Sequence, residues 1–204
     1  MTGGGGGHTL AAVLPLVVLL ALGPAPEASP SPGPARVLIQ TSRGAIVVEV
    51  DTARAPVTAA NFLRYVEGGF YDGGHFHRTV RPDNQPGQTV RIQVIQAGIN
   101  ARRAKDGFPP IPLERTSLTG LRHLDGTISM ARDGPDTATG DFFICIGDQP
   151  SLDYGGKRNA DGQGFAAFGR VVKGMPVVRR IQALRARGQR LVPPVLIRSA
   201  RRLP

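Results

Sequence analysis

The sequence has one cysteine, Cys145, among 204 residues. An internal disulfide is thereby excluded, and so is a zinc site built from spaced Cys and His pairs. Cys145 lies within Phe142-Phe143-Ile144-Cys145-Ile146, a run that reads as a buried strand with the thiol acting as a small hydrophobe. Tryptophan is absent, and no aromatic-rich pair of strands is available to stack nucleobases. Acidic side chains are few, 15 against 25 Lys and Arg, for a formal charge of +10. Such an excess raises the question of phosphate binding. The arginines are scattered, however, apart from the pairs Arg102-Arg103, Arg179-Arg180 and Arg201-Arg202, which favours a basic surface with no nucleic-acid partner. Long amphipathic helical patterns are scarce and no repeat of fixed period appears, so helical bundles and solenoids are disfavoured.

Glycine (27) and proline (18) are abundant, and they divide the chain into short apolar runs typical of a β-rich domain. The first 35 residues differ from the rest. Leu10 to Leu22 is almost wholly Leu, Val and Ala, and a Pro/Ser/Gly-rich stretch from Gly23 to Pro34 follows. This apolar run has signal-peptide length, is short for a spanning helix and is interrupted by Pro15. It lacks a basic flank, and the small-residue cleavage candidates are each followed by proline. The expectation is an exported protein, periplasmic or extracellular, touching a membrane only through residues 1–35 if these are retained. No cysteine follows the run, so a lipoprotein is excluded. Residues 36–204 are expected to form one domain.

Within that domain Val37–Thr41 and Ala45–Val50 flank Ser42-Arg43-Gly44 and read as a hairpin. A helix is expected from Pro56, with Val57, Ala60, Leu63 and Val66 as its apolar face, and a second after Pro176, with Val178, Ile181 and Leu184. Strands are expected at Phe76–Val80, Val90–Gln96, Thr127–Ala131, Phe142–Ile146, Phe165–Val172 and Val195–Ser199. Eight strands and two helices suggest a mainly β fold, a closed eight-stranded antiparallel barrel capped by two α-helices, because closure removes exposed sheet edges.

Four segments place polar groups beside aromatic or small apolar ones: Phe76-His77-Arg78, Ile95-Gln96-Ala97-Gly98, Ser129-Met130-Ala131 and Asp141-Phe142-Phe143-Ile144. In this order, with Leu152-Asp153 and Phe168-Gly169-Arg170-Val171 following, they resemble the cyclophilin family over roughly Arg36 to Ser199. The resemblance implies a capped eight-stranded barrel that isomerises the bond preceding proline in polypeptide substrates. It would make Arg78 catalytic, Gln96 its partner and a contact for the substrate backbone, and Val94, Phe143 and Leu152 the walls of a proline pocket. Ala131 and the backbone of Arg132 would line the adjoining groove. Three positions of the site depart from the family's usual residues, Asp141 replacing glutamine, Gln93 phenylalanine and Val94 methionine, and Tyr154 to Gly164 reads as an insertion relative to the family. Asp141 is expected either to orient Arg78 by pairing with it or to compete for its donors. Gln93 and Val94 are expected to loosen the pocket and so lower or narrow the activity.

Amide resonance sets a rotational barrier of about 18–20 kcal/mol. A guanidinium donating toward the prolyl nitrogen localises its lone pair and is bound most strongly in the twisted state, so neither nucleophile, metal nor cofactor is required. The alternative is a catalytically weak peptide-holding module or chaperone that keeps the groove. His75 and His77 alternate without a third metal ligand at zinc-site spacing and are read as structural, and Arg132–Asp141 lacks the terminal glutamate and fixed glycine of a calcium loop and is read as lining the groove. A monomer acting on proline-containing polypeptides is expected.

Overall fold

The computed structural model describes residues 1–7 and 34–204, in two units, Met1–Ser31 and Pro32–Pro204. The apolar run at Leu10–Leu22 lies outside the described residues. Residues 1–7 are exposed and carry no regular structure, and every described element belongs to the second unit. Among the described residues no helix is long and apolar enough to cross a membrane.

Strands β1 (Ala35–Thr41) and β2 (Gly44–Val50) form the expected hairpin in register Ala35↔Val50 to Thr41↔Gly44. Gly44 takes φ +129°, which side chains rarely adopt, and Thr41 Oγ1 donates to its carbonyl at 2.7 Å to close the turn. The remaining strands are β3 (His75–Val80), β4 (Val94–Gly98), β5 (Thr127–Met130), β6 (Phe142–Cys145), β7 (Ala167–Lys173), β8 (Ala186–Arg187) and β9 (Arg190–Arg202). Their order is β1-β2-β7-β5-β6-β4-β3-β9, and β9 pairs back onto β1 to close an antiparallel barrel of eight strands. The two-residue β8 is an appendage hydrogen-bonded to β9. Two expected strands start late. Residues 90–93 are irregular ahead of β4, and Phe165 and Ala166 precede β7.

Helix α1 (Pro56–Glu67) covers one end of the barrel, with Phe62 touching Tyr71, Phe142 and Phe168 at centroid distances of 5.2–5.5 Å. Its buried face differs from the expected one, for Thr58, Ala59, Phe62, Leu63, Tyr65 and Val66 are buried while Val57 and Ala60 face solvent. No side chain caps its start locally. Instead the Glu114 carboxylate accepts from the amides of Val57 (3.1 Å) and Thr58 (2.7 Å), supplying the acceptors a helix start lacks. A four-residue turn, α2 (Thr116–Thr119), follows, and α3 (Met175–Gln182) covers the second end through Val177, Val178 and Ile181.

The strands that carry the site are buried on both faces. Adjacent strand residues point to opposite sides. In β6, Phe142 and Ile144 belong to the main core, whereas Phe143 and Cys145 join a smaller cluster with Val80, Ile92, Val94 and Leu152. In β4, Ile95 and Ala97 face the main core and Val94 the smaller cluster. That second cluster is the floor of a cleft.

Candidate active site

Arg78 reaches the cleft because of a fault in β3. Phe76 pairs with Ala97 and Arg78 with Gln96, so His77 is the extra residue of a β-bulge. Without it Phe76 and Arg78, two residues apart, would face the same way. With it Phe76 is fully buried in the main core while Arg78 turns to the opposite side, alongside Val80.

From Arg78 one row crosses four adjacent strands, through the pairs Arg78↔Gln96, Gln96↔Phe143 and Phe143↔Ser129. Arg78 Nη1 donates to Gln96 Oε1 at 3.0 Å. Arg78 Nε and Nη2 both donate to Gln189 Oε1, at 2.9 and 2.6 Å. Gln189, in the turn between β8 and β9, was not foreseen as a partner; its position next to Gly188 in a tight turn was the only signal. Burial, and then the nearby charge of Arg158, lower the Arg78 guanidinium below its ordinary value. The group remains a cation at any physiological pH.

At the far end of the row, fully buried Ser129 meets His123, whose Nε2 lies 3.0 Å from Ser129 Oγ and whose Nδ1 lies 2.7 Å from Asp153 Oδ1. The His123 ring stacks on Phe143, centroids 5.9 Å apart and planes 14° from parallel. Phe165 meets the Phe143 ring edge-on at 5.3 Å. Phe143 is therefore clamped between two rings. Burial opposes the charge on Asp153, but hydrogen bonds from the His123 ring and backbone, together with Arg122, outweigh it and hold the carboxyl below its usual range.

The cleft has a volume of about 340 Å³. Around it stand Arg78, Val94, Gln96, Ala131, Arg132, Asp141, Phe143 and Leu152, joined by Ile92, Thr137, Arg158 and Phe165. Gln93, expected in the pocket wall, is not there. Its side chain turns toward α3, accepting from Gln182 Nε2 at 3.4 Å, while its backbone is held by Gln149 and Ile146. Ile92 fills the wall instead and packs in one cluster with Val94, Phe143 and Leu152. The expected place of Gln93 in the pocket wall is thereby corrected.

Asp141 lines the cleft without an ion pair to Arg78, contrary to both expected roles. Burial raises its carboxyl, while the His77 charge and hydrogen bonds from Gln96 and the Ile99 amide act in the opposite direction. The carboxylate lies over Gly98, where a Cβ would come within 2.5 Å of Asp141 Oδ1. Gln96, whose Oε1 accepts from Arg78, also acts on the Asp141 carboxyl and lowers it. Arg132 sends its side chain away from the groove. It forms a two-pronged pair with Asp161 (2.8 and 3.0 Å) and donates to Gly164 O, tying down the insertion that runs from Tyr154 to Gly164.

Comparison with known proteins agrees with this architecture. Residues 36–202 match the sequence model of a family described as cyclophilin type peptidyl-prolyl cis-trans isomerase/CLD. A peptidyl-prolyl cis-trans isomerase A of Dickeya dadantii is 38% identical over 198 residues, covering 94% of this chain and 95% of the relative. A peptidyl-prolyl cis-trans isomerase of Streptomyces antibioticus is 37% identical over 171 residues, covering 81% of this chain and 96% of its own. Among solved structures, a Cryptosporidium parvum cyclophilin type isomerase crystallised in the presence of the dipeptide Ala-Pro superposes with a TM-score of 0.66 at 20% identity, over 83% of this chain and 99% of that one.

Proposed function

The chain belongs to the cyclophilin-type peptidyl-prolyl cis-trans isomerases and accelerates rotation about Xaa–Pro bonds, and from that premise we propose that Arg78 is its catalytic residue. The observation that carries this is the anchoring of a half-buried guanidinium above an apolar floor by two neutral carbonyl acceptors, Gln96 and Gln189, with no carboxylate paired to it among the described residues. The proline ring rests on Phe143, against Val94, Ile92 and Leu152. The preceding residue runs along Ala131 and the Arg132 backbone, with Gln96 available to its carbonyl. Arg78 donates toward the prolyl nitrogen as that atom becomes pyramidal, an interaction that grows as resonance is lost and is weakest in the planar states. Rotation at tens of seconds uncatalysed requires about 5 kcal/mol of such differential stabilisation to reach milliseconds, at about 1.4 kcal/mol per tenfold.

The protein acts on exported or envelope polypeptides, a reading supported by the apolar run Leu10–Leu22 and the Pro/Ser/Gly-rich stretch after it. Magnetisation-exchange NMR on a short proline peptide, with the full chain and Arg78→Ala, tests the catalytic assignment without a coupled protease. The expected result is an exchange enhancement that falls about 100-fold or more in the variant, the scale seen when a single oxyanion-hole donor is removed. An enhancement unchanged in a folded Arg78→Ala protein would overturn it.

A further inference from the structure

Two guanidinium groups line one cleft, and among the described residues neither has a carboxylate partner. The second is Arg158, contributed by the insertion Tyr154–Gly164. Its Nη1 donates to Gln85 Oε1 (3.2 Å), Gln88 Oε1 (3.3 Å) and Val90 O (2.8 Å), all neutral acceptors on the loop across the cleft mouth. Gln85 is itself fixed. It is buried, its Nε2 donates to the carbonyls of Arg81 and Ile92, and its Oε1 accepts the Ile92 amide. These bonds hold Arg158 by one nitrogen and leave Nε and Nη2 without an acceptor among the described residues.

Every other charged group around the cleft is accounted for separately. Arg132 is saturated by Asp161 and the Gly164 carbonyl. The Asp141 carboxylate lies over Gly98, and among the described residues neither Asp141 nor Asp133 forms an ion pair with Arg78 or Arg158. Arg158 is thus partly desolvated, beside a like charge at Arg78, with no ion pair among the described residues to offset either cost. The free Nε–Nη2 edge presents two parallel N–H donors, the fork that matches a carboxylate.

We propose that Arg158 is an anion subsite of the substrate cleft and binds the side-chain carboxylate of an aspartate or glutamate adjoining the target proline, so that acidic proline segments are preferred substrates. The proposal rests on the reading of this cleft as the proline site. The insertion supplies the preference and the barrel the chemistry.

The test uses full-length protein and peptides capped at both ends, so that a side chain is their only carboxylate, with Glu or Gln placed directly before or directly after the proline. NMR titration gives Kd, and magnetisation exchange on the same samples gives the isomerisation rate. At one of the two positions Glu is expected to bind about tenfold more tightly than Gln, equivalent to about 1.4 kcal/mol. That ratio is expected to fall to about one in Arg158→Gln, to survive in part in Arg158→Lys and to shrink with added salt. Because each variant is compared with itself on two peptides, loosening of the loop alone does not mimic the result. A Glu-to-Gln ratio near one at both positions in wild type, or a preference undiminished in Arg158→Gln, overturns the proposal. Accelerated exchange of both peptides without a preference would sink it while leaving the catalytic assignment intact, and preferential binding without acceleration would do the reverse.

Discussion

Replacing Gln189 with alanine removes the acceptor of two of the three hydrogen bonds that orient Arg78, those at 2.9 and 2.6 Å, and leaves the bond to Gln96. Hydrogen bonds to charged groups contribute about 1.5–3 kcal/mol net. If one such contribution holds the guanidinium in its working orientation, its loss raises the barrier by about the same amount and slows turnover about 10- to 100-fold. The floor of Phe143, Val94 and Ile92 is untouched, so substrate should still bind. The expected signature is a drop in kcat with KM nearly unchanged, measured by exchange NMR across substrate concentrations. Stability should change little, since among the described residues the only other side-chain bond of Gln189 is a 3.3 Å donation to Asn84 O. A kcat within twofold of wild type would refute the argument, showing that Gln96 alone suffices to aim Arg78. A matched rise in KM would mean that the turn shapes the pocket instead.

Ile92→Ala should raise KM for proline peptides several-fold by opening the pocket wall, whereas Gln93→Ala should leave KM unchanged; the reverse order would contradict the placement of these neighbours on opposite faces. Asp141→Asn should raise the melting temperature at neutral pH. Burial raises the folded carboxyl above its unfolded value of 3.8, so the unfolded chain loses its proton first and stability falls as pH rises through the window above 3.8. The gain from asparagine should accordingly vanish below that window, and a variant equally stabilised at low pH would point to another cause. Circular dichroism melts across pH decide this.

Much of the architecture follows from sequence pattern, and the misreadings have identifiable causes. In α1 the apolar residues Val57 and Ala60 fit a helical stripe as well as Phe62 does, yet the barrel end selects Thr58, Ala59 and Phe62; the wider aromatic side chains fixed the rotation of the helix. Its cap, Glu114, lies 56 residues from Thr58 and leaves no local trace. The placement of Arg78 beside Val94 and Phe143 came from family resemblance, because strand alternation alone puts Arg78 with Phe76 in the core; only the bulge at His77 separates them. Ile92, by contrast, could have been found. Counting back in twos from Gln96 gives Val94 and then Ile92, the alternation of a strand, and the irregular backbone of residues 90–93 preserves that facing. Gln189 and Arg158 act across 111 and 68 or more residues, a separation at which pattern carries no information about contact.

Because β6 is buried on both faces, with Phe142 and Ile144 in one cluster and Phe143 and Cys145 in the other, it has no position at which substitution is free. Any change to Phe142 or Ile144 alters the core that α1 packs upon and shifts the backbone that carries Phe143, and any change to Phe143 or Cys145 alters the floor of the cleft. Folding and catalysis are therefore constrained by the same four residues, and variation in what the protein accepts as substrate is displaced to the loops. The insertion Tyr154–Gly164 can exchange its side chains without touching the core, so divergence in this chain should be recorded at the mouth of the cleft while the floor stays fixed.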